Sequence, residues 1–283
     1  MNVTHRCAGV ASWRRRGIAA VALSVLLGGA LHAQPRPFIG TGTPHARAAL
    51  SSISVGPNRA QVLVTLAIDP GWHVSWRNPG ETGLPTRLTW SLPTGVRLRD
   101  ETWPVPVISH TTVGATHTLE GDVPWLVEFT VDSGTAADRL IALTLNYGVC
   151  RDVCIPERIT VQGALPGRDA RVVAIPAALH SRLARRGDAI AARRRSPTQL
   201  CLSHVPLAAS SRAPEIIADS GLALDAALQL TAESHDGNHV FIMNVPAAVT
   251  LRDRTKVLVV QGNSAVATTL DFRRAAPGCT AKK

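Results

Sequence analysis

Leu140-Ile141-Ala142-Leu143-Thr144-Leu145-Asn146-Tyr147-Gly148-Val149-Cys150-Arg151-Asp152-Val153-Cys154-Ile155-Pro156-Glu157-Arg158-Ile159-Thr160-Val161 is the stretch on which the reading of this chain turns. Residues 140–146 are apolar or alternating at strand length, and residues 155–161 read as a second short strand. Between them stand Cys150 and Cys154. In an extended chain their Cα atoms would lie about 13 Å apart, whereas a disulfide needs roughly 4.4–6.8 Å. The pair can bond only if Arg151-Asp152-Val153 turns, which would place a disulfide at a hairpin tip, open to attack by another thiolate. From spacing alone, a structural staple and a lone metal half-site stand as alternatives.

Working outward, residues 49–55, 60–68, 86–90, 105–112 and 124–131 are further strand-like runs bounded by Gly, Pro, Asp or Ser. The spacing, with no helical periodicity between runs, predicts a β-sandwich of immunoglobulin-like size. Trp72, Trp76, Trp90, Trp103, Trp125 and Tyr147 all fall in this region and are expected as core or pocket walls. Beyond it, residues 175–195 read as the one helical stretch. Pro176 takes its first turn, Ala177, Leu179, Leu183, Ala184 and Ile190 share one side, and arginines form a solvated face. Gly187 interrupts it and Ser196-Pro197 ends it. Residues 222–230, 239–245, 256–260 and 265–272 return to strand texture. The fold class expected is all-β: an immunoglobulin-like sandwich, a short helical connector and a second, smaller β-sandwich-like lobe.

The amino-terminal end reads as a secretory signal. Arg14-Arg15-Arg16 precede an apolar run over residues 17–31, and Ala33 offers a cut, with Ala30 as the alternative. Leu31 is bulky where a small residue is preferred, and the residues after the arginines make only a weak twin-arginine signal. The expected division is a signal peptide over 1–33, a flexible leader over 34–48, a redox sandwich over 49–170, a helical connector over 171–197 and a second β domain over 198–283.

Export changes the cysteine count. Cys7 leaves with the signal, and Cys150, Cys154, Cys201 and Cys279 remain, an even number for an oxidising compartment. Of three possible pairings, proximity favours 150–154, leaving 201–279 to close the second lobe. The formal charge of +10 includes the four arginines of the signal, and the remaining basic residues are scattered without aromatic interleaving. That pattern speaks against nucleic acid as a partner. No later run reaches membrane-spanning length, so a soluble periplasmic protein is expected. His73, between Trp72 and Trp76, reads as a hydrogen-bonded wall residue, and Asn78-Pro79-Gly80 as a turn. The other histidines lack metal-site spacing with the cysteines, and Met243 stands alone after the signal, so no metal or cofactor is implied.

Three pieces together resemble the amino-terminal periplasmic region of DsbD-like and ScsB-like thiol:disulfide interchange proteins. They are Gly71-Trp72-His73-Val74-Ser75-Trp76-Arg77-Asn78-Pro79-Gly80-Glu81-Thr82-Gly83-Leu84-Pro85, with Trp90; Trp103-Pro104-Val105-Pro106; and Cys150-Arg151-Asp152-Val153-Cys154-Ile155-Pro156-Glu157. The resemblance covers residues 49–161 well and the remainder more loosely. It implies an immunoglobulin-like domain whose Cys150 and Cys154 take electrons from a membrane-embedded donor and pass them to periplasmic thioredoxin-like or disulfide-isomerase proteins. It further implies that Cys154 attacks first and Cys150 resolves. Trp72, His73, Trp76, Asn78, Trp103 and Tyr147 are the residues expected to shield the site. The three-residue spacing departs from the five of the best-known DsbD domains. The membrane and thioredoxin-like domains of full-length members have no counterpart here, so the donor is expected to be a separate protein. The competing functions are a non-enzymatic binding module with structural disulfides, and a copper-stress protein binding metal through the two thiols.

Overall fold

A computed structural model describes residues 41–56, 58–112, 114–133, 139–165, 174–219, 227–235, 238–247, 249 and 251–279. The proposed signal peptide and the first part of the leader lie outside the described residues. The first lobe runs β1 (Thr41–Gly42), β2 (Ala46–Gly56), β3 (Arg59–Ile68), β4 (His73–Gly80), β5 (Arg87–Ser91), β6 (Val96–Thr102), β7 (Val107–Thr111), β8 (Gly114–Glu120), β9 (Asp122–Val131), β10 (Arg139–Cys150) and β11 (Cys154–Leu165). The second runs α1 (Ala177–His180), β12 (Arg185–Arg186), β13 (Ile190–Ser196), β14 (Gln199–Ser203), β15 (Glu215–Ala218), β16 (Leu228–His235), β17 (Asn238–Asn244), β18 (Arg254–Gln261) and β19 (Ser264–Asp271).

Two sheets make the first lobe, in the orders β1-β2-β3-β9-β6 and β11-β10-β4-β8-β7, with β5 also paired to β10. Period-two alternation sets which side chains meet. On β10 the odd positions Ile141, Leu143, Leu145, Tyr147 and Val149 are buried, and the even positions take the outer face. Three tryptophans interlock in the core. Trp103 packs edge-on against Trp76 and Trp125, with ring centres 5.9 and 5.8 Å apart. Such T-shaped contacts set the positive ring edge against the negative face of the next ring.

The second lobe closes into a barrel. Its strands run β19-β13-β14-β17-β16-β15-β18, and β18 pairs back onto β19. β12 and β13 both lie parallel along β19, which completes the ring. Closure leaves no free sheet edge in the ring, and Ile190, Leu200, Leu202, Met243 and Leu270 fill its core. Cys201 and Cys279 form the predicted disulfide on its wall, both buried.

The helix expected over residues 175–195 shrinks to one turn, α1. Ile190, Ala191 and Ala192 are buried consecutively in β13, which the barrel uses as a wall strand, and this tertiary demand overrides the helical spacing. The arginine face is also only partly solvated. Arg195 pairs with Glu233 at 2.8 Å and is almost wholly buried, and Arg193 donates to the Cys279 carbonyl at 3.2 Å. Residues 41–48, expected as loose leader, instead supply β1 and the start of β2.

The lobes meet over a mixed seam, in which Ala184, Ile217, Leu258 and Val260 join the first lobe's apolar core cluster and polar pairs lie around them. Val105 donates its backbone N–H to Arg182 at 2.7 Å, and Ala184 donates to Trp103 at 3.0 Å. Arg77 pairs with Asp219, Arg186 with Asp100, and His110 with Glu215. A cleft of about 460 Å³ opens at this seam, lined by Arg77, Trp103, Asp219 and Lys256 among others.

A hairpin-tip disulfide as candidate functional site

Strands β10 and β11 pair in unbroken register down to the last rung, where Cys150 faces Cys154. The turn of Arg151, Asp152 and Val153 is closed by an Arg151 N–H to Val153 C=O hydrogen bond of 3.2 Å. It brings the two Cα atoms to 4.1 Å, and the cysteines are disulfide-bonded. Hairpin geometry therefore puts both sulfurs at the sheet's end without any long-range requirement.

The two cysteines are not equivalent. Cys150 is only 2 % exposed, whereas Cys154 is exposed. The Cys150 sulfur lies 3.7 Å from the Gly148 carbonyl oxygen, an acceptor for its thiol proton once the pair is reduced. Cys154 is the cysteine open to an incoming partner.

Trp72, His73 and Tyr147 are brought to this end of the sheet. His73 pairs with Cys150 across β4 and β10. The Arg151 guanidinium sits 4.9 Å from the Trp72 ring centre, and Trp72 stacks on His45 at 3.8 Å. The Tyr147 hydroxyl donates to Glu157 at 3.0 Å and lies 3.1 Å from the Thr43 hydroxyl, which also bonds Glu157. Burial above all, reinforced by the Glu157 carboxylate against the opposing Thr43 hydrogen bond, holds the Tyr147 phenol well above its ordinary range. Tyr147 is thus a protonated wall residue.

Trp76, Asn78 and Trp103 lie towards the seam between the lobes. Trp76 donates its indole N–H to the Pro104 carbonyl at 3.0 Å. Trp103 contacts Trp76, Trp125 and the Arg77 guanidinium. Asn78 donates to the Ala218 carbonyl of the second lobe at 3.0 Å. Asn78-Pro79-Gly80, read from sequence as a turn, ends β4, where the register to β8 breaks between Ser75 and Gly80. Gly80 is required there, since its φ is +83° and a Cβ would stand 2.1 Å from the Ala115 carbonyl oxygen.

Sequence reasoning missed Leu84, although its motif was noted. Leu84 packs directly over Gly148, where a Cβ would come within 2.7 Å of the Leu84 Cβ. Gly148 shares the outer face with Cys150, so the loop before β5 covers the sheet just below the disulfide. Strand parity could have placed Gly148 on that face, but nothing local indicated which side chain covers it. The roles of Thr43 and His45 had no sequence signal.

Comparison with known proteins agrees with this geometry. Residues 44–166 match the family model described as thiol:disulfide interchange protein DsbD, N-terminal. The N-terminal periplasmic domain of ScsB from Proteus mirabilis aligns with 19% identity over 81% of this chain and 94% of that chain, with a TM-score of 0.52. Two smaller domains align over less of the chain. The GAE domain of yeast GGA1 shares 10% identity over 44% of this chain and 96% of that chain, at a TM-score of 0.30. The collagen-binding subdomain ACE19 of the Enterococcus faecalis surface protein ACE shares 10% identity over 43% and 97%, at 0.25. No curated protein matches. Two disulfides suit an oxidising compartment such as the periplasm, and among the described residues no helix is long and apolar enough to cross a membrane. Residues 44–166 are similar to the DsbD N-terminal family, the two lobes share the fold of the ScsB periplasmic domain, and the Cys150–Cys154 pair supports a thiol–disulfide redox role in general.

Proposed function

We propose that this protein is a periplasmic thiol:disulfide interchange protein that passes electrons through Cys150 and Cys154 to partner proteins. The observation that carries this reading is the inequality of the two sulfurs at a hairpin tip, one buried and one exposed. In the reduced protein the Cys154 thiolate attacks a partner disulfide, forming a mixed disulfide and releasing one partner thiolate. Cys150, held against its neighbour, then loses its proton and attacks the Cys154 sulfur. The second partner thiolate leaves with the electron pair, and the protein is left as the Cys150–Cys154 disulfide. Two electrons move to the partner, and the two protons of the dithiol end on the partner's thiols. A membrane-embedded donor would return the pair to the dithiol, and thioredoxin-like or disulfide-isomerase proteins would receive its electrons.

The test mixes reduced protein with a panel of oxidised periplasmic thioredoxin-like proteins and reads redox states by alkylation. Transfer to at least one member, abolished in Cys154→Ser and arrested as a mixed disulfide in Cys150→Ser, is the expected result. No transfer to any member, with both variants behaving as wild type, would leave the disulfide as a staple.

A further inference from the structure

The outer face of the β5–β10–β11 sheet carries an ordered strip running away from the disulfide. Even-numbered positions of β10 define it, because alternate side chains share a face. The first rung is Cys150 with Cys154, and the second is Gly148 with Pro156. The third is Asn146, flanked by Arg87 on β5 and Arg158 on β11. Below it lie Thr89, Thr144 and Thr160.

The strip changes chemistry along its length. Around the cysteines, Val153 is 68 % exposed and Leu84 is more than a third exposed. A groove of about 420 Å³ lies beside the second rung, with Leu84, Pro85 and Pro156 in its walls and Arg158 at its edge. Arg87 and Arg158 are both exposed, and neither has an ion-pair carboxylate among the described residues. Arg158 donates only to the neutral Asn146 side chain, at 2.8 Å. The nearby carboxylates are committed elsewhere: Glu157 bonds Tyr147 and Thr43, and Asp152 pairs with Arg151 at 3.2 Å. At a rise of roughly 3.4 Å per residue, the arginine rung stands about 14 Å from the cysteine rung, and the two arginines are about 10 Å apart.

We propose that this strip is the docking track for a cysteine-bearing partner segment with an apolar side chain beside its cysteine and carboxylates about four extended residues away. The partner sulfur meets Cys154, its apolar side chain enters the Leu84–Pro156 groove, and its carboxylates reach Arg87 and Arg158. Charge complementarity of this kind steers encounter and fixes register. The proposal rests on the exchange reading above and adds to it the partner's recognition chemistry.

A pair of synthetic peptides tests it. Each has the order Glu-Gly-Leu-Gly-Cys-Gly-Leu-Gly-Glu, or the same with Lys at both ends, so that chain direction is immaterial. Each carries its cysteine as a mixed disulfide with thionitrobenzoate. Attack by reduced Cys154 on the peptide sulfur releases the coloured aromatic thiolate, and Cys150 then displaces the peptide thiol. The expected result is a rate about five-fold higher for the Glu peptide at low salt, a difference that shrinks in high salt. The charge-swapped variant Arg87→Glu with Arg158→Glu should reverse the preference, which a folding defect would not produce. Equal wild-type rates for the two peptides, or a preference unchanged by salt, overturn the docking proposal while leaving exchange intact. Absence of reaction with either peptide overturns the exchange reading and this proposal with it.

Discussion

The guanidinium of Arg151 lies 4.9 Å from the ring centre of Trp72, so the turn between the cysteines is held by the residue just before β4. The same indole stacks on His45, whose imidazole lies 3.9 Å from Asp69. A turn that a tight hairpin would leave to solvent is thereby tied to segments distant in sequence.

Removing the ring should loosen that tie. Trp72→Ala is expected to lower unfolding free energy by about 1–2 kcal/mol, combining lost ring packing with a cation–π contact worth about 0.5 kcal/mol at an exposed site. Arg151→Ala should cost only that smaller part, because its side chain is 59% exposed. Denaturant titration of the two variants checks the ranking, and equal losses would mean the ring does not anchor the turn.

The cover over the outer face can be lifted from beneath. Gly148→Ala puts a methyl against the Leu84 Cβ and should displace the loop before β5, speeding reduction of Cys150–Cys154 by a small thiol several-fold. Adding Leu84→Gly removes the clash. Stopped-flow reduction of both variants reads this directly, and an unchanged rate for Gly148→Ala would show that Leu84 does not restrict access.

Graded reduction should separate the two disulfides. Cys201 and Cys279 are both buried on the barrel wall, so the 150–154 bond is expected to open first and 201–279 to persist until the barrel unfolds. Peptide mapping after timed alkylation gives the order. Losing 201–279 by Cys201→Ser with Cys279→Ser should cost up to about 4–5 kcal/mol, the chain-entropy value for a long loop.

His117 makes stability depend on acid. It is fully buried, with Nδ1 2.8 Å from the Asn78 carbonyl and Nε2 without a hydrogen-bond partner among the described residues. Burial first, and secondarily His110, push its folded pKa below the ordinary value of 6.5, against the opposing Asn78 hydrogen bond. Below pH 6.5 the unfolded chain therefore takes up a proton that the folded one refuses. Stability should fall from that point and level off once the pH is below the folded value. Denaturation midpoints at pH 7.5 and 5.5 should differ less in His117→Gln than in wild type; an equal difference would remove His117 as the cause.

Where sequence patterns were local, they carried through. The Cys150–Cys154 hairpin, the alternation of β3, β9 and β10 and the 201–279 pairing were legible because each rests on spacing or count. The failures share one cause. Residues 175–195 have apolar spacing compatible with a helix, and the barrel's demand for a wall strand at β13 decides otherwise. Trp103 carries no mark telling a tip-facing ring from one wedged between Trp76 and Trp125. Thr43 looked like leader because its partners, Tyr147 and Glu157, are a hundred residues away.

The ring of the second lobe is completed by pairing Ile190 with Leu270 and Ala191 with Asp271, its first long strand with its last. A chain delivered from its amino terminus can form the β14–β17 and β16–β17 ladders early, but β13 must wait for β19. Until then β13 presents an unmatched edge, the kind that invites intermolecular pairing. High sequence separation makes such a closing step slow. The finished barrel hides its seam, while the nascent one is exposed to aggregation until its final strand arrives.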